Sequence, residues 1–429
     1  MNCDYACRNA SHLVARRTFL GQLVGGLGAT ALGLGSGLPH SLAHGLHQQQ
    51  KRVLCIFMSG GLSQLESWDP KPGADTGGPC RSIPTSVPGV HISDLLPKTA
   101  GQMHRLNIVR GLNTSEDDHG KGRYLMEKGR REMPGFDYPH LGAVAARAIT
   151  PAESALPGHV HITPGGGGGT SSDAAYLGPR YASVVLGGGN PPQNSARPES
   201  LSEAMASRRD ALRKQANDHF ARRRRTAETD AYTYSYEQAA QLMQRRDLFD
   251  VAREPAAEQD RYGRHDFGRH CLLARRLLEA GVTFVQVSHS NYDTHNENFN
   301  FHVEQLGEFD GPFATLVADL ADRGLLEHTL VVVMSEFGRT PNINQYYGRD
   351  HWSKAWSVVL GGAGIQVGGA FGKTNDRGTE VTDHQVDHGQ LFHTYLTALG
   401  LDSRENFDIG GRKMPLADPA AAPISELLA

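Results

Sequence analysis

The chain is poor in cysteine, and this scarcity excludes a disulfide-built protein. Only five of its 429 residues are cysteines, and Cys3 and Cys7 lie in the extreme N-terminal segment. The three others, Cys55, Cys80 and Cys271, are too few and too scattered for a disulfide scaffold. Cys55 falls inside an apolar run and is expected to be a core residue, whereas a single Cys80–Cys271 bridge remains open.

The chain also lacks a strong charge bias and, after residue 43, any apolar run long enough to span a bilayer. A net charge of −3 provides no basic surface for nucleic acid, so no nucleic-acid partner is predicted. The mature chain is likewise expected to have no membrane segment. What the chain does have is 21 histidines and 46 acidic residues, a rich supply of metal ligands.

The first 43 residues have the features of an export signal. Arg16-Arg17-Thr18-Phe19-Leu20 has the twin-arginine form, and a Gly-rich, weakly apolar run follows it. Ser41-Leu42-Ala43 then offers small residues at the spacing that signal peptidase accepts. We predict that residues 1–43 are a signal peptide for the twin-arginine export machinery, which directs the protein to the periplasm or the cell exterior.

Apolar runs alternate with helical patterns over residues 44–429, which predicts one α/β domain with a mostly parallel sheet between helices. Thr329–Met334 is an unbroken, largely β-branched run that is typical of a strand buried on both faces. Further strands are predicted at 51–58, 107–110, 159–163, 282–287 and 356–360. The helical composition near 200–251 predicts a helical insertion in this domain.

Carboxylates and imidazoles accumulate directly after several of these strands, where the loops of α/β sheets bind ligands. They are Glu66 and Asp69 after the first strand, His119 after the second, Asp293 and His295 after residues 282–287, and Glu336, Asp350 and His351 after residues 329–334. If the strands are parallel, these loops emerge along one edge and their side chains converge. The alternative is a set of surface turns whose charges are merely solvated.

Mixed carboxylate and imidazole ligands predict a site for divalent metal ions. They favour Zn²⁺ or Mn²⁺ over the all-oxygen coordination of Ca²⁺, while the choice among zinc, manganese, magnesium and calcium stays open. Two such ions about 4 Å apart would stabilise the attacking and leaving oxygens of a phosphoryl-type transfer. Arg339 and Arg349 are then candidates for neutralising an anionic substrate.

Five motifs spread over nearly the whole chain carry a resemblance to a known family. They are Arg16-Arg17-Thr18-Phe19-Leu20, Met58-Ser59-Gly60-Gly61-Leu62-Ser63-Gln64 with Trp68-Asp69-Pro70-Lys71-Pro72, Asp118-His119-Gly120, Tyr292-Asp293-Thr294-His295, and Ser335-Glu336-Phe337-Gly338-Arg339-Thr340-Pro341 with Gly348-Arg349-Asp350-His351-Trp352. In these motifs the chain resembles the exported proteins grouped as domain of unknown function 1501. The resemblance implies an alkaline-phosphatase-like, three-layer α/β/α sandwich. It also implies a sulfatase-like hydrolase of phosphate or sulfate esters, acting on a small-molecule or polysaccharide anionic substrate.

The resemblance also implies roles for single residues. Enzymes of this superfamily place an Asp and a His close together after one strand, and Asp293 and His295 are similar to that pair. In the same enzymes an Asp-His pair follows the next strand, where this chain has Glu336. Asp350-His351 is then the candidate replacement for that pair. In these enzymes the first strand usually ends in Asp. This chain has Ser59-Gly60 at that place, which leaves Glu66 or Asp69 as the substitute.

At the nucleophile the chain departs from the sulfatase pattern Cys/Ser-x-Pro/Ser-x-Arg. The segment at Cys80 lacks the Arg, and the segment at Cys271 lacks the Pro or Ser. Ser63 or Thr114 remains as a hydroxyl for activation by a metal, and His119 and Arg339 complete the candidate catalytic set. A second hypothesis therefore stays open, in which the same fold binds a ligand such as a sulfated polysaccharide without turnover.

Overall fold

The computed structural model describes residues 50–429 apart from 152–153, 166–171, 189–194, 224–236 and 238. The predicted signal peptide therefore lies outside the described residues. Among the residues that are described, no helix is both long enough and apolar enough to cross a membrane.

One large sheet organises the strands. In chain order the strands are β1 (Arg52–Met58), β2 (Ser82–Pro84), β3 (His91–Ser93), β4 (Leu106–Leu112), β5 (His159–Thr163), β6 (Val184–Gly187), β7 (Phe284–His289), β8 (Thr329–Met334), β9 (Gly338–Arg339), β10 (His351–Trp352), β11 (Trp356–Gly362), β12 (Gly369–Phe371), β13 (Lys373–Thr374), β14 (Val381–Asp383), β15 (Asn406–Ile409) and β16 (Arg412–Pro415). Eight of them form a sheet in the order β12-β4-β11-β8-β1-β7-β5-β6. Every neighbouring pair in it is parallel except those of β11, which runs antiparallel to β4 and β8. The predicted mostly parallel sheet is confirmed.

Helices cover both faces of this sheet. The α-helices of the described residues include α1 (Pro97–Ala100), α2 (His119–Lys128), α3 (Leu141–Ile149), α4 (Glu203–Arg223), α5 (Ala256–Tyr262), α6 (Asp266–Glu279), α7 (Asn298–Asp322) and α8 (His388–Ala398). Helix α4 falls within the range 200–251, for which a helical insertion is predicted from the sequence.

Strand β1 shows how the layers form. All seven of its residues are buried, and successive side chains point to opposite faces because a strand has a period of two residues. Leu54 and Ile56 pack in one apolar cluster with α6 and α7, whereas Val53 and Cys55 pack in another with α3 and α8. The three-layer α/β/α sandwich is therefore confirmed.

The reversed strand β11 decides which loops can meet. Strands β1, β4, β7 and β8 run in one direction, so their carboxyl ends share one edge of the sheet. Strand β11 runs the other way, so the chain that enters it, with His351 shortly before its start, also lies at this edge. The loops that follow β1, β4, β7 and β8 and the loop that precedes β11 therefore meet at this edge.

The cysteines close a question that the sequence leaves open. Cys55, Cys80 and Cys271 are all free and buried, so Cys80 and Cys271 do not form a bridge. Cys271 lies in the apolar core of helix α6, where it has no contact with solvent. Burial raises the pKa of the Cys80 thiol to about 12 and that of Cys271 well above its ordinary value. Thiols in this state are poor nucleophiles.

Candidate metal centre

Helix α2 presents His119 at the shared edge of the sheet. Asp118 caps the helix by accepting a hydrogen bond of 3.0 Å from the Lys121 backbone N–H, so the helix starts directly after the loop that follows β4. His119 Nδ1 lies 2.8 Å from Glu336 Oε1. A carboxylate can only accept, so Nδ1 donates, and in the neutral imidazole the lone pair is on Nε2. That Nε2 is buried without a hydrogen bond and lies 3.4 Å from Asp293 Oδ2.

His295 and His351 are arranged in the same way. His295 Nδ1 lies 2.7 Å from Asp350 Oδ1, and His351 Nδ1 lies 2.7 Å from the Asp117 carbonyl oxygen. Both partners are acceptors, so each Nδ1 donates and each Nε2 keeps a lone pair. The two Nε2 atoms are only 3.0 Å apart. Two neutral imidazoles whose lone pairs face each other repel at this distance, and a shared cation removes that repulsion.

Asp293 lies at the point where the three imidazoles converge. Its Oδ1 is 3.1 Å from His295 Nε2 and 3.3 Å from His351 Nε2. Burial by itself would raise the pKa of this carboxyl, but a hydrogen bond from Arg339 and the nearby charges hold the pKa below its usual value. Asp293 therefore stays ionised and is able to bind a cation.

These residues fit a divalent metal ion. One ligand atom each of His119, Asp293 and His351 lies within 4.8 Å of the others, and within the described part of the chain this is the one such group. His295 adds a fourth candidate ligand through its contacts with two of its members. Three imidazoles and one carboxylate form a donor set suited to zinc, and an oxygen acceptor on each Nδ1 is the usual support for a metal-bound histidine.

The protonation of the imidazoles follows from their surroundings. The hydrogen bond to Glu336 raises the pKa of His119 above its usual value. Burial lowers the pKa of His351, although the Asp117 carbonyl opposes that effect. The side chains of Asp293 and His295 are 49% and 48% exposed, so the centre is open to solvent on one side.

Glu336 and Asp350 lie next to the centre, but each contacts the Nδ1 side of an imidazole, away from the Nε2 atoms that converge. Glu336 is buried, and its Oε1 accepts from the Gly60 backbone N–H at 2.8 Å as well as from His119. Asp350 holds His295 in the same manner. Both residues were predicted as metal ligands, and the structure places them one hydrogen bond away from the ligand atoms.

Arg339 holds Asp293 in position from the protein side. It is completely buried, and its Nη2 donates to Asp293 Oδ1 at 2.6 Å. Its Nε donates to the Gly61 carbonyl at 2.9 Å, and its Nη1 to the Arg349 carbonyl at 3.0 Å. With no exposed atom, this guanidinium positions Asp293 and does not meet a substrate anion, contrary to the role expected from the sequence.

Glu66 and Arg349 form an ion pair away from the imidazoles. Both are completely buried, with Arg349 Nη2 2.7 Å from Glu66 Oε1 and Nε 3.0 Å from Oε2. Burial alone would raise the pKa of Glu66, but the charge of Arg349 brings it below the usual value. Neither the predicted metal ligand Glu66 nor the predicted anion-binding Arg349 is presented to the centre.

Asp69 and Ser63 also have their partners elsewhere. Asp69 Oδ1 lies 3.0 Å from Lys71 Nζ and 3.4 Å from Arg110 Nε. Ser63 is completely buried, and its backbone N–H donates to His302 Nε2 at 3.2 Å. The predicted roles of Asp69 as a ligand and Ser63 as a nucleophile thus receive no support from their contacts.

Backbone groups are the part of the centre that the sequence analysis missed. The Asp117 carbonyl orients His351, and the Gly60 amide binds Glu336. Gly60 has φ +118°, and a Cβ there would lie 2.7 Å from the carbonyl carbon of Tyr292. The Gly-Gly pair directly after a buried strand was the available signal, because it indicates a turn that other backbone closely approaches.

Comparisons with known proteins agree with the motif resemblance. The family described as "Protein of unknown function (DUF1501)" matches residues 50–428, whereas no curated protein matches. Among solved structures, the chain is similar to PsFucS1 sulfatase from Pseudoalteromonas sp. (14% identity, TM-score 0.42, covering 91% of this chain and 74% of that one). It is also similar to the lipoteichoic acid synthase LtaP from Listeria monocytogenes (7%, 0.39, 86% and 74%) and to alkaline phosphatase from the Antarctic bacterium TAB5 (12%, 0.36, 82% and 99%). Similarities at these TM-scores establish neither an activity nor a substrate.

Proposed function

The chain belongs to the DUF1501 family, and we propose that it is an exported, metal-dependent hydrolase of phosphate or sulfate esters. The observation that supports this most strongly is the convergence of three imidazole Nε2 atoms on Asp293 while each Nδ1 is held by an oxygen acceptor. Solvated surface histidines have no reason to be oriented in this way, whereas metal ligands do.

His119, Asp293, His295 and His351 would hold the ion. A bound divalent ion supplies Lewis acidity and lowers the pKa of a coordinated water, which is the chemistry that ester hydrolysis needs. Around it, Glu336 keeps the Nδ1 proton on His119, so that the lone pair stays on Nε2. The half-exposed face of the centre leaves room for an ester group to enter from solvent.

We propose one ion in place of the two expected from the sequence. A two-ion mechanism needs a second group of ligands, and the part of the chain that the structure describes offers one group only. The side-chain nucleophiles are also poorly placed, since Ser63 and the three cysteines are buried. We therefore propose direct attack by water, without a covalent enzyme intermediate.

Metal analysis of the purified mature protein tests this proposal. About one equivalent of a divalent metal is expected in the parent protein, and Asp293→Ala and His351→Ala should lose it. His219→Ala removes an exposed histidine of helix α4 and should retain the full content, which makes it the matched control. Less than a tenth of an equivalent of any transition metal in the parent protein contradicts the proposal.

Export is proposed from the N-terminal sequence. The twin-arginine pathway carries folded proteins, so the ion would be loaded in the cytoplasm before translocation. Replacing Arg16 and Arg17 by lysines should leave the precursor uncleaved in the cytoplasm, which fractionation of expressing cells measures. Normal processing of the lysine variant would contradict this route.

A binding protein without turnover remains the second candidate, and the burial of the candidate nucleophiles favours it. Assays of the parent protein against aryl phosphates and sulfates separate the two functions. Hydrolysis that disappears in both Asp293→Ala and His351→Ala supports the enzyme. No hydrolysis by any form, together with retained binding of a sulfated polysaccharide, supports the binding protein.

A further inference from the structure

The loop that leads into Asp350 and His351 exposes the aromatic rings of two consecutive tyrosines. Tyr346 and Tyr347 are 62% and 68% exposed, a large aromatic area to leave in water. This loop contacts the metal centre, because Asn344 Nδ2 donates a hydrogen bond of 2.9 Å to the carbonyl of His295. The two rings therefore belong to a segment that touches one candidate ligand and continues directly into another.

The backbone under these rings is firmly held. Asn344 Oδ1 accepts from the N–H groups of Tyr346 at 2.9 Å and Gly348 at 3.0 Å. The Tyr347 carbonyl accepts from the Asn298 N–H at 3.0 Å. Tyr347 also has φ +57°, a left-handed conformation that is rare for a bulky residue and that persists only where the surroundings enforce it. Rings presented from a rigid backbone lose little conformational entropy when a ligand binds.

The charges of the ligand-bearing segments limit what could bind there. Arg339 and Arg349 in these segments are completely buried. The exposed charged side chains of the segments are mostly carboxylates, five against one lysine: Asp117, Asp118, Asp293, Glu297 and Asp350 against Lys121. A bound ion would attract one anionic ester group, but the exposed carboxylates would repel further anionic groups beside it. The segments thus fit a ligand with one ester group and otherwise neutral surface.

We propose that Tyr346 and Tyr347 form a stacking platform for a sugar ring of a sparsely charged carbohydrate ester, whose ester group lies at the metal centre. This inference rests on the proposed function, because it names the substrate class of the same centre. A pyranose ring presents flat C–H faces that pack against an aromatic ring, and the tyrosine hydroxyls remain free to bind its hydroxyl groups. A linear alcohol ester has no such face.

Ring and linear esters compared on the metal-loaded protein test the platform. Glucose 6-phosphate and glucose 6-sulfate serve as ring esters, and glycerol 3-phosphate and propyl sulfate as linear ones. Tyr346→Ala and Tyr347→Asn remove one ring each, and asparagine tolerates the left-handed backbone at position 347. Each variant should raise KM for the ring esters about threefold to tenfold, as loss of an aromatic contact does. KM for the linear esters, and kcat for both, should stay within about twofold.

Two further variants exclude a merely structural effect. Tyr346→Trp keeps an aromatic face and should keep the low KM for ring esters. Phe220→Ala removes a 48% exposed ring on helix α4 and should change no constant. An unchanged KM for ring esters in Tyr346→Ala, or an equal rise for ring and linear esters, overturns the platform while hydrolysis by the parent protein upholds the proposed function.

If the parent protein hydrolyses none of these esters, calorimetric measurement of glucose 6-sulfate binding to the metal-loaded protein tests the platform independently of hydrolysis. Binding that Tyr346→Ala weakens about threefold to tenfold supports the platform, although the hydrolase proposal fails. Absence of binding to the metal-loaded parent overturns the platform as well.

Discussion

Single hydrogen bonds determine what the histidine cluster can bind. Glu336 and Asp350 are acceptors, so they place a proton on Nδ1 of His119 and His295 and leave the Nε2 lone pairs pointing inward. With the proton on the other nitrogen, the same imidazoles would present N–H groups to one another and repel a cation. The carboxylates behind the cluster therefore contribute to cation binding through the imidazoles that they orient.

Removal of the carboxylate behind His119 should weaken metal binding without removing a ligand. We expect Glu336→Ala to lower metal affinity about 10- to 100-fold and Glu336→Gln to lower it less, since an amide oxygen still accepts from His119 and Gly60. Competition with a chromogenic chelator measures the affinity. Glu304→Ala, at an exposed position of helix α7, is the matched control. Full affinity in Glu336→Ala would show that Glu336 does not orient His119.

At the scale of elements, one buried ion pair joins the segments that carry the ligands. Glu66 follows β1, Asn298 begins helix α7 and donates to Glu66 at 3.0 Å, and Arg349 precedes Asp350 and β10. The Arg349 backbone N–H also donates to the Thr294 carbonyl at 2.9 Å, next to His295. The pair thus ties three loops together without touching the centre.

Breaking this pair should destabilise the protein strongly. Glu66→Gln leaves the charge of Arg349 buried without its counter-ion, which typically costs about 3–5 kcal/mol, and the loosened loop should also bind metal less tightly. Urea unfolding of the metal-free protein measures the first effect. Asp75→Asn is the control, because its pair with Arg377 is exposed and such pairs contribute about 0–1 kcal/mol. Equal losses in the two variants would refute the proposed role of the buried pair.

The turn after β1 depends on a residue without a side chain. Gly60→Ala forces a Cβ against the backbone of Tyr292 and Asp293 and also imposes φ +118° on alanine, so we expect both lower stability and weaker metal binding. Gly73→Ala separates these effects, since Gly73 has φ +85° but no atom within 4 Å of a Cβ. That control should lose about 1–2 kcal/mol of stability and keep its metal affinity. Unchanged metal affinity in Gly60→Ala would contradict the prediction.

At the scale of the whole molecule, buried histidines should make stability depend on pH. Burial lowers the pKa of His161 and His270 to about 4 and that of His289 to about 3. Between these values and the unfolded value of about 6.5, the unfolded chain binds protons that the folded protein does not. The free energy of unfolding should therefore fall as the pH drops from about 6.5 to about 4. Urea unfolding of the metal-free protein at several pH values measures this slope.

One histidine permits a controlled test of that slope. His270 is buried, and neither of its ring nitrogens has a hydrogen-bond partner. His270→Leu should therefore retain the stability of the parent protein above pH 7 and show a shallower decline in acid. His219→Ala, which removes an exposed histidine, should leave the slope unchanged. A parent protein whose stability is constant between pH 7 and pH 4.5 would contradict the prediction.

The main strands could be predicted because they are buried on both faces. The run at Thr329–Met334 was predicted with the bounds that the structure shows, and the first strand differs by one residue at its start. The strand predicted at 282–287 is observed at Phe284–His289, a shift toward polar residues that apolar patterning does not recognise as strand. The sheet edge that gathers Asp293 and His351 followed from the same reasoning.

Other features of the centre could not be predicted because single contacts distant in sequence decide them. No local pattern distinguishes His119, which faces the other imidazoles, from Glu336, which stands one hydrogen bond behind it. The burial of Arg339 and Arg349 could not be predicted either. Most of the carbonyl and carboxylate groups that bind them come from loops hundreds of residues away, and one lies on the opposite side of a turn.

The amino-acid sequence by itself determined the class of fold, the family and the group of loops in which polar side chains gather. Apolar periodicity and short motifs are local properties, and a chain with such buried strands can cover them only with helices on both faces. Tertiary structure alone decided which imidazole nitrogens converge, which carboxylates support them and which charges are neutralised in the interior. Those choices depend on ångström-scale contacts that form only once the reversed strand β11 has brought His351 to the edge of the sheet where β7, the strand before Asp293, ends.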